Sequence, residues 1–197
     1  SLSMQVYERE ILAVVGASGS GKSLLASAVL GILPGNSLVS GEMIYDGIKL
    51  DANRQKKLRG KEIVLIPQSV DYLDPLMKVG KQVKGVSGTA EKVKKVFRRY
   101  NLSEEVMDMY PFQLSGGMAR RVLISTAVME GSRLIIADEP TPGLDADMAM
   151  ETLNNLRELA DSGCGILLIT HDIDLAFNVA DRIAVFYAGT VVEECPV

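Results

Sequence analysis

Short, wholly apolar runs alternate with amphipathic stretches along this chain. Ile11-Leu12-Ala13-Val14-Val15 is rich in β-branched residues and stops at a glycine cluster, which predicts a buried parallel strand entering a turn. A helix is predicted from Lys22 to about Gly31. Gly35 to Gly41 is loop punctuation, Glu42 to Tyr45 alternates like an exposed strand, and Asp46-Gly47 is a strong turn signal, so an antiparallel hairpin is predicted there. Glu62 to Ile66 is a further buried strand, ended by Pro67.

From Asp74 to Tyr110 the period changes to that of a helix, clearest where Val93, Val96, Phe97 and Tyr100 fall at i, i+3, i+4 and i+7. That stretch predicts a small helical subdomain over residues 70–114, inserted between core segments 1–69 and 115–197. After Gly116-Gly117 a helix is predicted to about Glu130, then a strand at Leu134 to Ala137 and a helix from Ala146 to about Asp161. Gly165 to Thr170 is an apolar strand, Ile173 to Ala180 a short helix, and Ile183 to Tyr187 and Val191 to Glu193 are closing strands. Alternating strands and helices predict an α/β fold with a largely parallel sheet and a small antiparallel β subdomain. The chain shows no internal repeat and no low-complexity linker.

Composition narrows the picture without naming a chemistry. The 197 residues, 47% of them hydrophobic, suffice for one ordinary soluble domain with a full core. With 25 Asp+Glu against 21 Lys+Arg the chain lacks the electrostatic footprint of a duplex nucleic-acid binder, so no nucleic-acid partner is expected. Cys164 and Cys195 have no CxxC spacing, which argues against a zinc site or redox pair and fits a reducing compartment. The apolar runs fall far short of the roughly 20 residues that span a bilayer. The opening Ser1-Leu2-Ser3-Met4 lacks a charged segment followed by an apolar one, so no secretory leader is expected.

Three motifs carry chemistry. Gly16-Ala17-Ser18-Gly19-Ser20-Gly21-Lys22-Ser23 fits the P-loop pattern GxxxxGK[ST] between a predicted strand and a predicted helix. Its glycines let backbone N–H groups turn inward around a polyphosphate, Lys22 neutralises β/γ-phosphate charge, and Ser23 can ligate Mg²⁺. Leu134-Ile135-Ile136-Ala137-Asp138-Glu139 ends an apolar strand in two carboxylates and resembles a Walker B motif, with Asp138 toward Mg²⁺ and Glu139 as general base. The ordinary alternative is a solvated loop after a strand. Leu114-Ser115-Gly116-Gly117-Met118 places a hydroxyl and two bare backbones at a helix N-terminus, which is either an anion site or a simple serine cap.

Taken in order, these motifs resemble the ATP-binding-cassette family of P-loop NTPases, whose LSGGQ signature has the form of residues 114–118. The resemblance implies that ATP is held by Gly16, Ser18, Gly19, Ser20, Gly21, Lys22, Ser23 and Leu24 of one subunit. Ser115, Gly116 and Gly117 of a second subunit would cap its γ-phosphate. It further implies that Gln68 is the Q-loop glutamine, touching Mg²⁺ and the attacking water. Pro142-Gly143-Leu144-Asp145 is similar to the D-loop, with Asp145 at the dimer seam. His171, the single histidine, resembles the switch residue that contacts the γ-phosphate. Glu139, His171 and Gln68 would be catalytic, and Ser23, Gln68 and Asp138 would hold the metal.

Leu73-Asp74-Pro75, the stretch Tyr110 to Met118, Ile136 to Thr141 and Ile169 to Asp172 resemble the peptide/nickel importer branch, and Met118 its dipeptide or oligopeptide "D" subunits. That likeness implies an importer ATPase on the cytoplasmic face of the membrane. Its partners would be multi-span permeases, a second ATPase subunit and, indirectly, an extracytoplasmic substrate-binding protein. Cassette ATPases outside transport, acting on DNA, chromosomes or translation, and a module that binds nucleotide without hydrolysing it, are the competing expectations. The first usually carries long insertions or paired cassettes, which the short stretch from Gln68 to Leu114 does not offer.

Several positions depart from the family. Ala119-Arg120-Arg121 stands where Arg-Gln-Arg is usual, and Gly143 where alanine is usual. Tyr7 lies too close to the P-loop to stack on adenine, and the chain ends at Val197 without the branch's C-terminal extension. Truncation at both ends is therefore expected. Two basic clusters, Arg54 to Lys61 and Lys92 to Arg99, are expected as solvated faces, the second as a candidate contact with lipid headgroups or a permease.

Overall fold

The computed structural model describes residues 2–85, 88–129 and 131–197. In chain order its elements are β1 (Ile11–Val15), α1 (Lys22–Leu30), β2 (Ile44–Tyr45), β3 (Ile48–Lys49), α2 (Ala52–Leu58) and β4 (Ile63–Ile66). Then follow α3 (Val79–Lys84), α4 (Ala90–Arg99), α5 (Gly116–Met129), β5 (Leu134–Asp138), α6 (Ala146–Asp161), β6 (Gly165–Thr170), α7 (Ile173–Phe177), β7 (Arg182–Tyr187) and β8 (Thr190–Pro196). The predicted truncation at Ser1 and helix end at Glu130 lie outside the described residues.

The apolar runs become the middle of a sheet ordered β4-β5-β6-β1-β7-β8. Its first five strands pair in parallel, and β8 closes the edge antiparallel to β7. Every residue of β1 and β6 is buried, as continuous apolar strands covered on both faces must be. On one face Leu12, Val14, Ile136, Leu167 and Ile169 pack with Ala26 and Leu30 of α1. On the other, Ala13, Val15, Ile135 and Leu168 meet α5 and α6 through Val122, Ile124, Leu153 and Leu156. The second cluster continues without a break into Val79, Val83, Val93 and Phe97 of α3 and α4.

The hairpin β2–β3 turns at Asp46-Gly47 with φ of 53° and 70°, the mirror-image turn that matches strand twist. Within the stretch from Asp74 to Tyr110, whose period predicts a small helical subdomain, α3 and α4 are the α-helices among the described residues. Val70–Tyr72, Glu104–Asp108 and Pro111–Gln113 are 3₁₀ turns. The basic stretch after Asp51 forms α2. Its Gln55 Nε2 donates to the carbonyls of Ala28 and Val29 at 2.8 and 3.1 Å, and Arg59 donates to that of Leu30, so α2 satisfies the open end of α1. Helix α7 stops at Phe177, short of the predicted Ala180, and β8 runs to Pro196, beyond the predicted Glu193.

Candidate functional site

Four loops converge at the C-terminal edge of the parallel strands, the place where an open α/β sheet binds ligands. The chain leaves β1 into the glycine loop, β4 into Gln68, β5 into Glu139 and β6 into His171. At Gly16 a Cβ would lie 2.2 Å from the Phe186 carbonyl oxygen, so only glycine lets the loop start against β7. Gly19 and Gly21 have φ of 78° and 103°, turning the backbone back on itself before α1 begins.

Lys22 is 5% exposed, and its ammonium donates to the Gly16 and Ala17 carbonyls at 2.6 and 3.1 Å. The Ser20 hydroxyl is buried without a partner. A concave loop with an orphaned hydroxyl, a buried ammonium and the free N–H groups of a helix start fits a polyphosphate. Leu24 lies exposed on the outer side of that first turn.

The Ser23 hydroxyl donates to Asp138 Oδ1 at 3.2 Å, joining the glycine loop to the end of β5. Burial pushes the Asp138 carboxyl above the ordinary aspartate range. The Ser23 hydrogen bond opposes that push, and neighbouring Glu139 adds to it. Among the described residues no cluster of three or more His, Cys, Asp or Glu could hold a metal alone. One hydroxyl beside one desolvated carboxylate fits Mg²⁺, which completes its shell with phosphate and water oxygens.

Glu139 is 8% exposed and sits at φ 47°, a left-handed conformation unfavourable for a residue with a side chain. Its N–H still donates to the Ile169 carbonyl at 2.8 Å, extending the β5–β6 ladder by one residue. With the backbone so turned, Glu139 Oε2 stands 2.8 Å from His171 Nδ1, while the imidazole remains 60% exposed.

Among the described residues no hydrogen bond joins the remaining candidates to Lys22, Ser23, Asp138, Glu139 or His171. Gln68 is exposed, and its backbone carbonyl accepts from Arg120 Nη2 at 2.8 Å. Ser115 caps α5, its Oγ accepting from the Met118 N–H at 3.3 Å, and Gly116 and Gly117 form the first turn. Asp145 caps α6 through the Met148 N–H at 2.9 Å, after a turn at Gly143 with φ 78°. Among the described residues no hydrogen bond joins Ser115, Gly116, Gly117 or Asp145 to the glycine loop. Arg120, which the sequence marks only as part of the Ala119-Arg120-Arg121 departure, is the functional residue to which sequence reasoning gives no role. A charge set before the apolar run Val122-Leu123-Ile124 was its visible signal. Tyr7 lies under the Arg182 guanidinium, 5.4 Å from ring centre to charge.

Comparison with known proteins places these features in company. The ABC transporter family model matches residues 1–142. The chain is 37% identical over 202 residues to the oligopeptide transport ATP-binding protein OppD of Bacillus subtilis (strain 168), covering 93% of this chain and 56% of that protein. It is 34% identical to the metal-staphylopine import system ATP-binding protein CntD of Staphylococcus aureus (strain Mu50 / ATCC 700699), covering 93% and 74%. The fold superposes with a TM-score of 0.86 on the dimeric structure of a post-hydrolysis ATP-binding cassette bound to ADP and Pi, at 27% identity, covering 100% of this chain and 89% of that one. The chain thus spans a little over half the length of the oligopeptide relative.

Proposed function

The chain belongs to the ABC transporter family, and from that premise we propose that it is the ATP-hydrolysing subunit of an importer for peptides or metal chelates. The observation that carries the reading is the convergence of Lys22, the Ser23–Asp138 pair and the Glu139–His171 pair on one strand edge. The glycine loop from Gly16 to Leu24 binds the ATP phosphates. Lys22 exchanges its two carbonyl partners for phosphate oxygens. Glu139 takes a proton from the attacking water, and His171 holds its carboxylate in place. Mg²⁺, bound through Ser23, Asp138 and Gln68, would neutralise phosphate charge.

Ser115, Gly116 and Gly117 face a second cassette, whose bound ATP they cap, and Asp145 lies at the seam between the two. Segment 70–114 acts as the helical subdomain that meets the permease, and residues 1–69 and 115–197 as the ATP-binding core. No helix among the described residues is long and apolar enough to cross a membrane. Attachment to the cytoplasmic face would run through multi-span permease subunits, with an extracytoplasmic binding protein delivering cargo. ATP closure of the dimer pulls on the permeases, and hydrolysis releases them, so energy enters through differential binding to two states.

The test is to express the full-length Glu139→Gln protein in its native cell, trap it with Mg-ATP and identify what copurifies from solubilised membranes. Multi-span permeases together with a second cassette are expected. Recovery of soluble or nucleic-acid partners alone would overturn the importer reading in favour of a cassette ATPase outside transport.

A further inference from the structure

Arg120 is 4% exposed, in the second turn of α5, four residues beyond Gly116 and therefore on the same side of the helix. Its guanidinium donates from Nη1 to the Pro67 carbonyl and from Nη2 to the Gln68 carbonyl, both at 2.8 Å. Nε is buried without a partner. Burial alone accounts for its lowered pKa, with no carboxylate contributing to the shift, so backbone oxygens supply the compensation seen for this desolvated charge.

The two carbonyls belong to the peptide units on either side of the Gln68 Cα. A rigid planar fork that holds both fixes the two peptide planes, and with them the direction in which the Gln68 side chain leaves the backbone. An apolar side chain would fill the space without fixing either plane.

We infer that Arg120 is a positioning residue that fastens the Gln68 loop to the helix bearing Ser115, Gly116 and Gly117, so that the two move as one body. This rests on the ATPase reading for its catalytic consequence and on geometry alone for the fastening. When the start of α5 shifts, the Gln68 backbone shifts with it. Gln68 thereby reports the position of one cassette's signature to that same cassette's nucleotide.

The test compares the full-length wild-type protein with Arg120→Met, which keeps length but donates nothing, and Arg120→Lys, which keeps charge but not the planar fork. Amide hydrogen exchange over 67–72 is expected to rise by about tenfold or more in Arg120→Met, with 16–24 and 134–138 unchanged. Arg120→Lys is expected to fall between the two. ATP turnover in Arg120→Met drops while KM for ATP holds. Unchanged exchange over 67–72, or acceleration of all three segments together, would overturn the fastening. If Arg120→Met does not fold, the same two outcomes in Arg120→Lys decide it. Exchange needs no hydrolysis, so a wild type that fails to turn over ATP counts against the ATPase reading and leaves this result standing.

Discussion

His171 Nδ1 stands 2.8 Å from Glu139 Oε2, the two side chains meeting from the ends of the adjacent strands β6 and β5. The contact depends on the left-handed turn of Glu139, which swings a nearly buried carboxylate off the line of its strand. Backbone strain of this kind clusters at functional sites, which accords with the role of base proposed for Glu139.

On the proposed reading Glu139 is the base, so Glu139→Gln keeps the side chain's shape while removing the proton acceptor. Turnover is expected to fall by about 10²–10⁴-fold. Affinity for Mg-ATP should remain near that of the wild type. Phosphate release and a fluorescent-nucleotide titration measure the two quantities, and a variant turning over at the wild-type rate would remove Glu139 from its role.

Lys22 already spends its ammonium on two carbonyls of the loop, so Lys22→Ala frees those oxygens while deleting the phosphate partner. Nucleotide affinity is expected to drop by about tenfold or more. Isothermal titration with ATP checks this, and intact affinity would contradict the phosphate-loop assignment.

Gly16 packs against β7 so closely that an added Cβ would meet the Phe186 oxygen at 2.2 Å. Since backbone cannot yield as a side-chain tip does, Gly16→Ala is expected to cost about 1–3 kcal/mol and lower Tm by several degrees. Ser18→Ala, on the exposed crest of the same loop, should melt like the wild type. Thermal melts without nucleotide separate this packing effect from binding.

Asp181 gives a pH dependence of known sign. Burial raises its pKa, but the Ile11 N–H at 2.8 Å and Arg157 at 2.7 Å outweigh it and hold the carboxyl below its ordinary value. The unfolded chain then binds the proton more readily than the folded one. The resulting stability is fully present above about pH 4 and is lost as pH falls through the lowered folded value. Asp181→Asn should melt below the wild type at pH 7, with the gap narrowing on acidification. A gap independent of pH would contradict the pairing.

Much of this architecture was legible because buried parallel strands are continuous apolar runs and the glycine loop announces itself by spacing. Beyond reach were features made by distant partners. Helix α2 looks merely basic, yet its Gln55 and Arg59, the residue that follows its last turn, close the end of α1 across nearly thirty residues. The 3₁₀ turns between α4 and α5 close through i→i+3 hydrogen bonds, such as Val106 N–H to the Ser103 carbonyl and Gln113 N–H to that of Tyr110, in place of the α-helical i→i+4 pattern. At the site, residue types named Lys22, Ser23, Asp138, Glu139 and His171, but not the strained turn that joins the last two. Arg120 is legible only as a departure, since its carbonyl partners lie 52 and 53 residues away.

The central claim is that this chain closes ATP against a second cassette, to which it supplies Ser115, Gly116 and Gly117. The most direct measurement is the light-scattering mass of full-length Glu139→Gln, mixed with the cassette that copurifies with it, at saturating Mg-ATP, against ADP and against Lys22→Ala in the same background. The account predicts a two-cassette mass with ATP alone, lost with ADP and with Lys22→Ala. A protein that binds ATP yet keeps the single-cassette mass in that mixture would contradict it.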